Sequence, residues 1–285
     1  MKIYNKLMLL GLFAVSPLTY ANTGIAFVHG TGNQSNALAD YWTADFVNSV
    51  RQGIAQPNNY TVINCDFDQY MWEDAAAGCL ASQLTSFIQT KQIDDLIMLT
   101  HSNGGNVVRW LLSNPTWDNR YPAIINATSR VIAIAPSSAG TPLADAVNEG
   151  NVFETSLGWL LGYGSNAVKQ QQVGNMSYYN ATWLYGTSGR PAIGKPFETV
   201  VGTDVDSAIW DSDSYCAGYQ YQVALETTQN WLDNCSDGFL ECSSQSAAGT
   251  VWFSDKQKTR GQEPLSHQQS RRACFNLDVL IRNHI

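Results

Sequence analysis

The sequence predicts an α/β fold with a mostly parallel central sheet and helices on both faces. Three observations carry that expectation. Segments apolar throughout, such as Ile25-Ala26-Phe27-Val28, Leu96-Ile97-Met98-Leu99 and Val131-Ile132-Ala133-Ile134, read as strands covered on both faces. Between them lie stretches whose apolar residues recur in steps of three and four, the mark of amphipathic helices. The alternation of the two patterns is that of βαβ units.

Taken in order, Gly24 to His29 is a buried strand ending in the turn Gly30-Thr31-Gly32, and Leu38, Trp42, Phe46, Val47, Val50 and Ile54 mark the helix after it. Tyr60 to Asn64 is a short strand, and Leu80 to Thr90 a helix with Leu80, Leu84, Phe87 and Ile88 on one face. Asp95 to Thr100, Arg130 to Ala135 and Phe197 to Val201 are further strands. A closing helix runs from Gln268 with Ala273, Leu277, Leu280 and Ile281 in register. The stretch from about 144 to 196 breaks this rhythm and contains Leu157-Gly158-Trp159-Leu160-Leu161-Gly162-Tyr163. It reads as a cap or lid over the carboxyl ends of the strands, or as an ordinary buried helix with loops.

Residues 1–21 read as a secretory signal: Lys2 and Lys6, an apolar stretch from Leu7 to Val15, and Thr19-Tyr20-Ala21 as a small-residue cleavage site. The stretch is too short to span a bilayer, and no later run could. No cysteine stands at the cleavage point, which argues against a lipid anchor. About 264 residues then form one α/β domain in an exported protein, secreted or periplasmic, expected to be a monomer. Losing Lys2 and Lys6 takes the net charge from −8 to about −10, which argues against nucleic acid as a partner. The six cysteines, Cys65, Cys79, Cys216, Cys235, Cys242 and Cys274, include no CxxC pair and no neighbouring histidine. They read as disulfides rather than metal ligands; Cys65 with Cys79 is the natural local pair, and 15 connectivities exist in all.

The chemistry concentrates at Thr100-His101-Ser102-Asn103-Gly104-Gly105, a strand, a tight turn with serine at its tip, and a helix opening. This is how a nucleophile elbow presents a hydroxyl, with Thr100 standing where G-x-S-x-G has its first glycine. A serine needs a base, usually a histidine oriented by a carboxylate. Of the four histidines, His29 and His101 cannot easily point at Ser102, and His284 is penultimate and expected to fray. His267, on a loop late in the chain, remains. The acid must lie between Ser102 and His267. Asp204 and Asp206 follow a strand directly, Asp211 and Asp213 are weaker, and Asp237 sits in a loop flanked by Cys235 and Cys242. On local chemistry Asp237 and Asp204 stand level. Backbone N–H groups of Thr31 and Asn103 are the candidates for an oxyanion hole. The glycine turn has neither G-x-G-x-x-G nor a P-loop lysine, which excludes nucleotides.

These residues resemble the α/β-hydrolase superfamily, and within it the secreted bacterial lipases and esterases. The resemblance rests on Phe27-Val28-His29-Gly30, the Ser102 turn, Ala135-Pro136 through Ala139-Gly140-Thr141-Pro142-Leu143-Ala144-Asp145, Ser236-Asp237-Gly238 and His267. It implies that Asp237 is the acid and that Cys242 is disulfide-bonded, with Cys216 as the suggested partner. It implies hydrolysis of a lipid or small ester through a Ser102–His267–Asp237 triad, needing no metal or organic cofactor. Three departures stand out: Thr100 replaces the first elbow glycine, Ser236 replaces an asparagine common before the acid, and no calcium site is recognisable. Acyl transfer or phospholipase action with the same triad, and an inactive binding protein on the same scaffold, are the rival readings.

Overall fold

The computed structural model describes residues 21–148, 164–254 and 256–285. The signal segment up to residue 20 and the run Leu157 to Tyr163, central to the expected cap, lie outside the described residues. Six strands form one sheet: β1 (Thr23–Val28), β2 (Tyr60–Val62), β3 (Asp95–His101), β4 (Thr128–Ile134), β5 (Phe197–Val200) and β6 (Thr250–Phe253). Their order is β2-β1-β3-β4-β5-β6, and every pairing is parallel.

Because successive side chains on a strand point to opposite faces, each apolar strand feeds two cores. Ala26, Val28, Leu96, Met98, Val131 and Ala133 join one. It is covered by α3 (Cys79–Lys91), α4 (Gly104–Ser113) and α5 (Tyr121–Ala127). Ile25, Phe27, Ile97, Leu99, Ile132 and Ile134 join the other. It is covered by α1 (Ala37–Asp40), α2 (Ala44–Val50) and, from the far end of the chain, the last helix (Leu277–Arg282). The chain leaves β1 toward β2 on one side and from β3 onward builds on the other. The gap between the carboxyl ends of β1 and β3 is therefore a topological switch point, where open parallel sheets bind ligands.

The insert after β4 contains α6 (Pro142–Asn148), α7 (Asn166–Gln170) and α8 (Val173–Thr182). Leu143, Val147 and Val168 from it form a third cluster with Val205, Leu225, Phe239 and Leu240. Leu225 belongs to α9 (Tyr219–Gln229), a helix between β5 and the Asp237 loop that the sequence pattern did not reveal. A one-turn α10 (Cys242–Gln245) follows that loop, and the last helix is α11. No helix among the described residues is long and apolar enough to cross a membrane.

Four expectations need correction. The helix expected over Leu38 to Ile54 is broken at Tyr41–Thr43, where Thr43 adopts φ 150° and its hydroxyl accepts from Phe46 N to cap α2. The break fixes Tyr41, whose carbonyl accepts from both Arg271 and Arg272. The closing helix does not start at Gln268: left-handed Phe275 and Asn276 delay it to Leu277. His284 is not frayed, since Nε2 meets Glu198 at 3.1 Å and the ring stacks on Trp252 at 4.1 Å. Finally, Cys242 pairs with Cys235, not Cys216, while Cys216 pairs with Cys274. The short 235–242 loop folds back on itself through Cys242 N to the Cys235 carbonyl, 2.8 Å, which brings those two sulfurs together. Cys65 pairs with Cys79 as expected.

Loop-closure entropy makes the wide bridge the more stabilising. Replacing Cys216 and Cys274, 58 residues apart, with alanine should lower the unfolding free energy by about 4 kcal/mol. Replacing Cys235 and Cys242, 7 apart, should lower it by about 2 kcal/mol. Urea unfolding midpoints of the two double variants check the ranking; equal midpoints would contradict it.

Candidate active site

Ser102 sits between β3 and α4 with φ 54°, a left-handed conformation that a non-glycine residue adopts under constraint. Its N–H donates to the Ile134 carbonyl at 3.0 Å, and its own carbonyl accepts from Gly105 N at 3.0 Å. Two glycines make the turn possible. A Cβ on Gly104 would lie 2.1 Å from the His29 carbonyl oxygen, and one on Gly30 2.8 Å from the Ser102 Cβ. Thr100 stands in the place of a third, and a Cβ on Gly105 would lie 3.4 Å from its Oγ1. That buried hydroxyl finds no hydrogen-bond partner among the described residues, a defect of about 1–3 kcal/mol.

His267 lies after β6, in the segment leading to α11. Its Nδ1 is 2.7 Å from Asp237 Oδ2, and its N–H donates to the Asp237 carbonyl at 2.9 Å. Asp237 is fully buried, and Oδ1 accepts from the N–H groups of Phe239 at 2.9 Å and Leu240 at 2.7 Å. The Cys235–Cys242 bridge closes the loop around it. The rivals lie elsewhere. Asp204 is exposed and accepts from Gln229 Nε2 and from Val205 N, and Asp211 caps the turn at Asp213. Asp206, Asp211 and Glu263 place one carboxylate oxygen each within 4.8 Å of one another. Three such oxygens could hold a hard cation, although exposed acidic groups also gather without one. Burial, then repulsion from Asp211, Asp213 and Asp206, raises the Glu263 carboxyl.

The turn after β1 places Thr31 beside the cavity over Ser102, and Asn103 stands at the N-cap position of α4 without a side-chain capping bond. Neither backbone N–H meets a protein acceptor among the described residues. Their side chains are held by two consecutive glutamines of the insert: Gln170 Nε2 donates to Asn103 Oδ1 at 2.8 Å, and Gln171 Nε2 to Thr31 Oγ1 at 3.0 Å. Gln170 is tied in turn by Met71 N at 2.7 Å. No motif marked these glutamines in the sequence; the only signal was their place in the segment read as a cap.

The other two inner histidines are braces. His29 donates from Nδ1 to the Gly30 carbonyl at 2.7 Å and accepts from Cys65 N at Nε2, 3.3 Å away. Burial lowers its pKa to about 4. His101 Nε2 faces the His267 carbonyl at 3.0 Å, so that nitrogen carries the proton and Nδ1 accepts from the Tyr41 hydroxyl at 2.5 Å. Burial, then the neighbouring His267 and Arg271, holds His101 well below the usual histidine range. Both rings are neutral near pH 7. A cavity of about 160 Å³ opens over the turn, lined among others by Ser102, His267, His101, Thr31, Tyr41 and Arg271. The structure thus brings Ser102, His267 and Thr31 to one cavity and hydrogen-bonds His267 to Asp237 behind it. Asp204 and Asp206 are not among the lining residues.

No protein-family model matches the chain, and comparison with curated sequences finds no relative. Solved structures do match. The mature form of a lipase from Bacillus licheniformis superposes with TM-score 0.61 at 18% identity, over 92% of this chain and 87% of its own. A metagenomic carboxyl esterase gives 0.59 at 14%, over 93% and 75%. Lipase 1 from Pelosinus fermentans gives 0.50 at 15%, over 87% and 90%. With its six parallel strands and flanking helices, this chain has the α/β-hydrolase fold shared by these bacterial lipases and esterases.

Proposed function

We propose that this protein is an exported serine hydrolase of carboxylic esters that works through an acyl-enzyme. The observation that carries the reading is the left-handed Ser102 turn facing a cavity shared with His267, whose Nδ1 is held by buried Asp237. His267 Nε2 takes the Ser102 proton as Oγ attacks the ester carbonyl. Asp237 keeps the proton on Nδ1 and stabilises the imidazolium that forms. The N–H groups of Thr31 and Asn103 hold the tetrahedral oxyanion. His267 then protonates the departing alcohol, and a water activated by the same nitrogen releases the acid from Ser102. The three disulfides suit the oxidising compartment to which the N-terminal signal would send the chain. The small cavity, lined largely by polar residues, favours a short ester over a long-chain triacylglycerol.

Ser102→Ala should abolish hydrolysis of 4-nitrophenyl butyrate, and a fluorophosphonate probe should label the native protein at Ser102 and nowhere else. Retained turnover in the variant would refute the mechanism. Asp237→Asn should lower kcat by roughly 10⁴-fold through the wrong histidine tautomer, whereas Asp204→Asn should leave kcat within about twofold. The reverse ranking would move the acid to Asp204. Gln170→Ala and Gln171→Ala should each lower kcat about 10-fold with KM nearly unchanged, because they orient the oxyanion donors without touching substrate. Affinity for an alkylboronic acid should fall in parallel; a change confined to KM would remove the glutamines from that role.

A further inference from the structure

The protein carries a net charge of −8, yet of two consecutive arginines, Arg271 and Arg272, the first lines its cavity. Arg271 lines the cavity wall and is only 8% exposed. Its Nε donates to Gln268 Oε1 at 3.2 Å, Nη1 donates to the Tyr41 carbonyl, and the guanidinium carbon lies 4.0 Å over the Tyr41 ring. Nη2 meets no acceptor among the described residues, and Arg271 forms no ion pair there. Among the described residues, Arg272 beside it is likewise bound only to carbonyls, those of Tyr41, Trp42 and Arg271. Asp40, the carboxylate among the lining residues, is exposed and forms an ion pair with neither arginine among the described residues.

A buried cation without a counter-charge is costly. Burial pulls Arg271 down, opposed by the neighbouring Tyr41 and Tyr221. A guanidinium with a free edge on the wall of a small polar cavity suits an oxyanion supplied from outside, since the planar fork matches carboxylate and phosphate. Both members of the reaction, Ser102 and His267, open on the same cavity. Resting on the hydrolase reading, we infer that Arg271 is an anion-binding subsite, so that the preferred ester carries a carboxylate or phosphate group close to the scissile carbonyl. At about 160 Å³ the cavity accepts a short group of this kind. Tyr41 positions the guanidinium through its ring and carbonyl.

Two matched pairs separate the possible sources of the anion. Mono-4-nitrophenyl glutarate against its neutral methyl ester places a carboxylate on the acyl side; 1-butyrylglycerol 3-phosphate against 1-butyrylglycerol places a phosphate on the alcohol side. In at least one pair the charged ester should have a kcat/KM at least 10-fold above the neutral one at low salt. Arg271→Gln should bring that ratio to about unity, and Arg271→Lys should retain part of it. Equal rates within both pairs, or a loss in Arg271→Gln that falls equally on charged and neutral esters, overturns the subsite. Should Arg271→Gln fail to fold, competitive inhibition of native 4-nitrophenyl butyrate hydrolysis by glutarate or glycerol 3-phosphate replaces it, and absence of inhibition by both counts against the subsite. Calorimetric titration of Ser102→Ala with the same two anions needs no turnover. Saturable binding there supports the subsite even if no ester is cleaved, so the two readings fail separately.

Discussion

One steric constraint governs the site: where the strands end, the backbones approach too closely for side chains to lie between them. A Cβ on Gly104 would fall 2.1 Å from the His29 carbonyl oxygen, and one on Gly30 2.3 Å from the Tyr41 hydroxyl. The same crowding recurs across the sheet, where a Cβ on Gly202 would fall 2.3 Å from the Leu265 carbonyl and 2.8 Å from the Asp237 Cβ. Glycine alone permits such contacts. They draw the turns after β1, β3 and β5 together with the Asp237 and His267 loops, and the strained φ of Ser102 is sustained by that surrounding packing.

Crowding has an electrostatic counterpart. Deep burial keeps His29 and His101 uncharged, so each can spend one nitrogen as donor and the other as acceptor to fix neighbouring backbone. His101 in particular ties the Ser102 turn to the His267 carbonyl and to Tyr41. His267 differs in having Nδ1 held by a carboxylate, and in the proposed mechanism Nε2 is the nitrogen that moves the proton. His29, His101 and His267 therefore differ in their partners, backbone groups and a hydroxyl for the first two and a carboxylate for the third, a division that residue type alone does not set.

The sheet was legible in the sequence because β1, β3 and β4 are buried on both faces and so read as unbroken apolar runs. β6 was not, because it is an edge strand whose first residues, Thr250 and Val251, are exposed. The Ser102 turn was legible through its local pattern of small residues, and His267 through the scarcity of histidine. What escaped depends on contacts distant in sequence. The break at Tyr41 answers to Arg271 and Arg272, some 230 residues away, and the delayed start of α11 follows a segment pinned by Cys274 to Cys216, 58 residues back. Helical periodicity registers neither. The pairing of Cys242 was misassigned because family likeness supplied a partner where a seven-residue loop closes locally.

The described part of the insert after β4 contacts both sides of the site. Through Gln170 and Gln171 it grips the side chains of Asn103 and Thr31, on the nucleophile side of the cavity. Through Leu143, Val147 and Val168 it packs against Phe239 and Leu240, the residues whose N–H groups hold Asp237 Oδ1. Ser244, just beyond that loop, adds hydrogen bonds to Gly140 and Ala139 at the start of the insert. One insert thus braces both Thr31 and Asn103, the proposed oxyanion donors, and the loop that carries Asp237. Displacing it would loosen both loops together, so on the proposed mechanism conformational freedom in the insert would be felt as rate rather than as affinity alone.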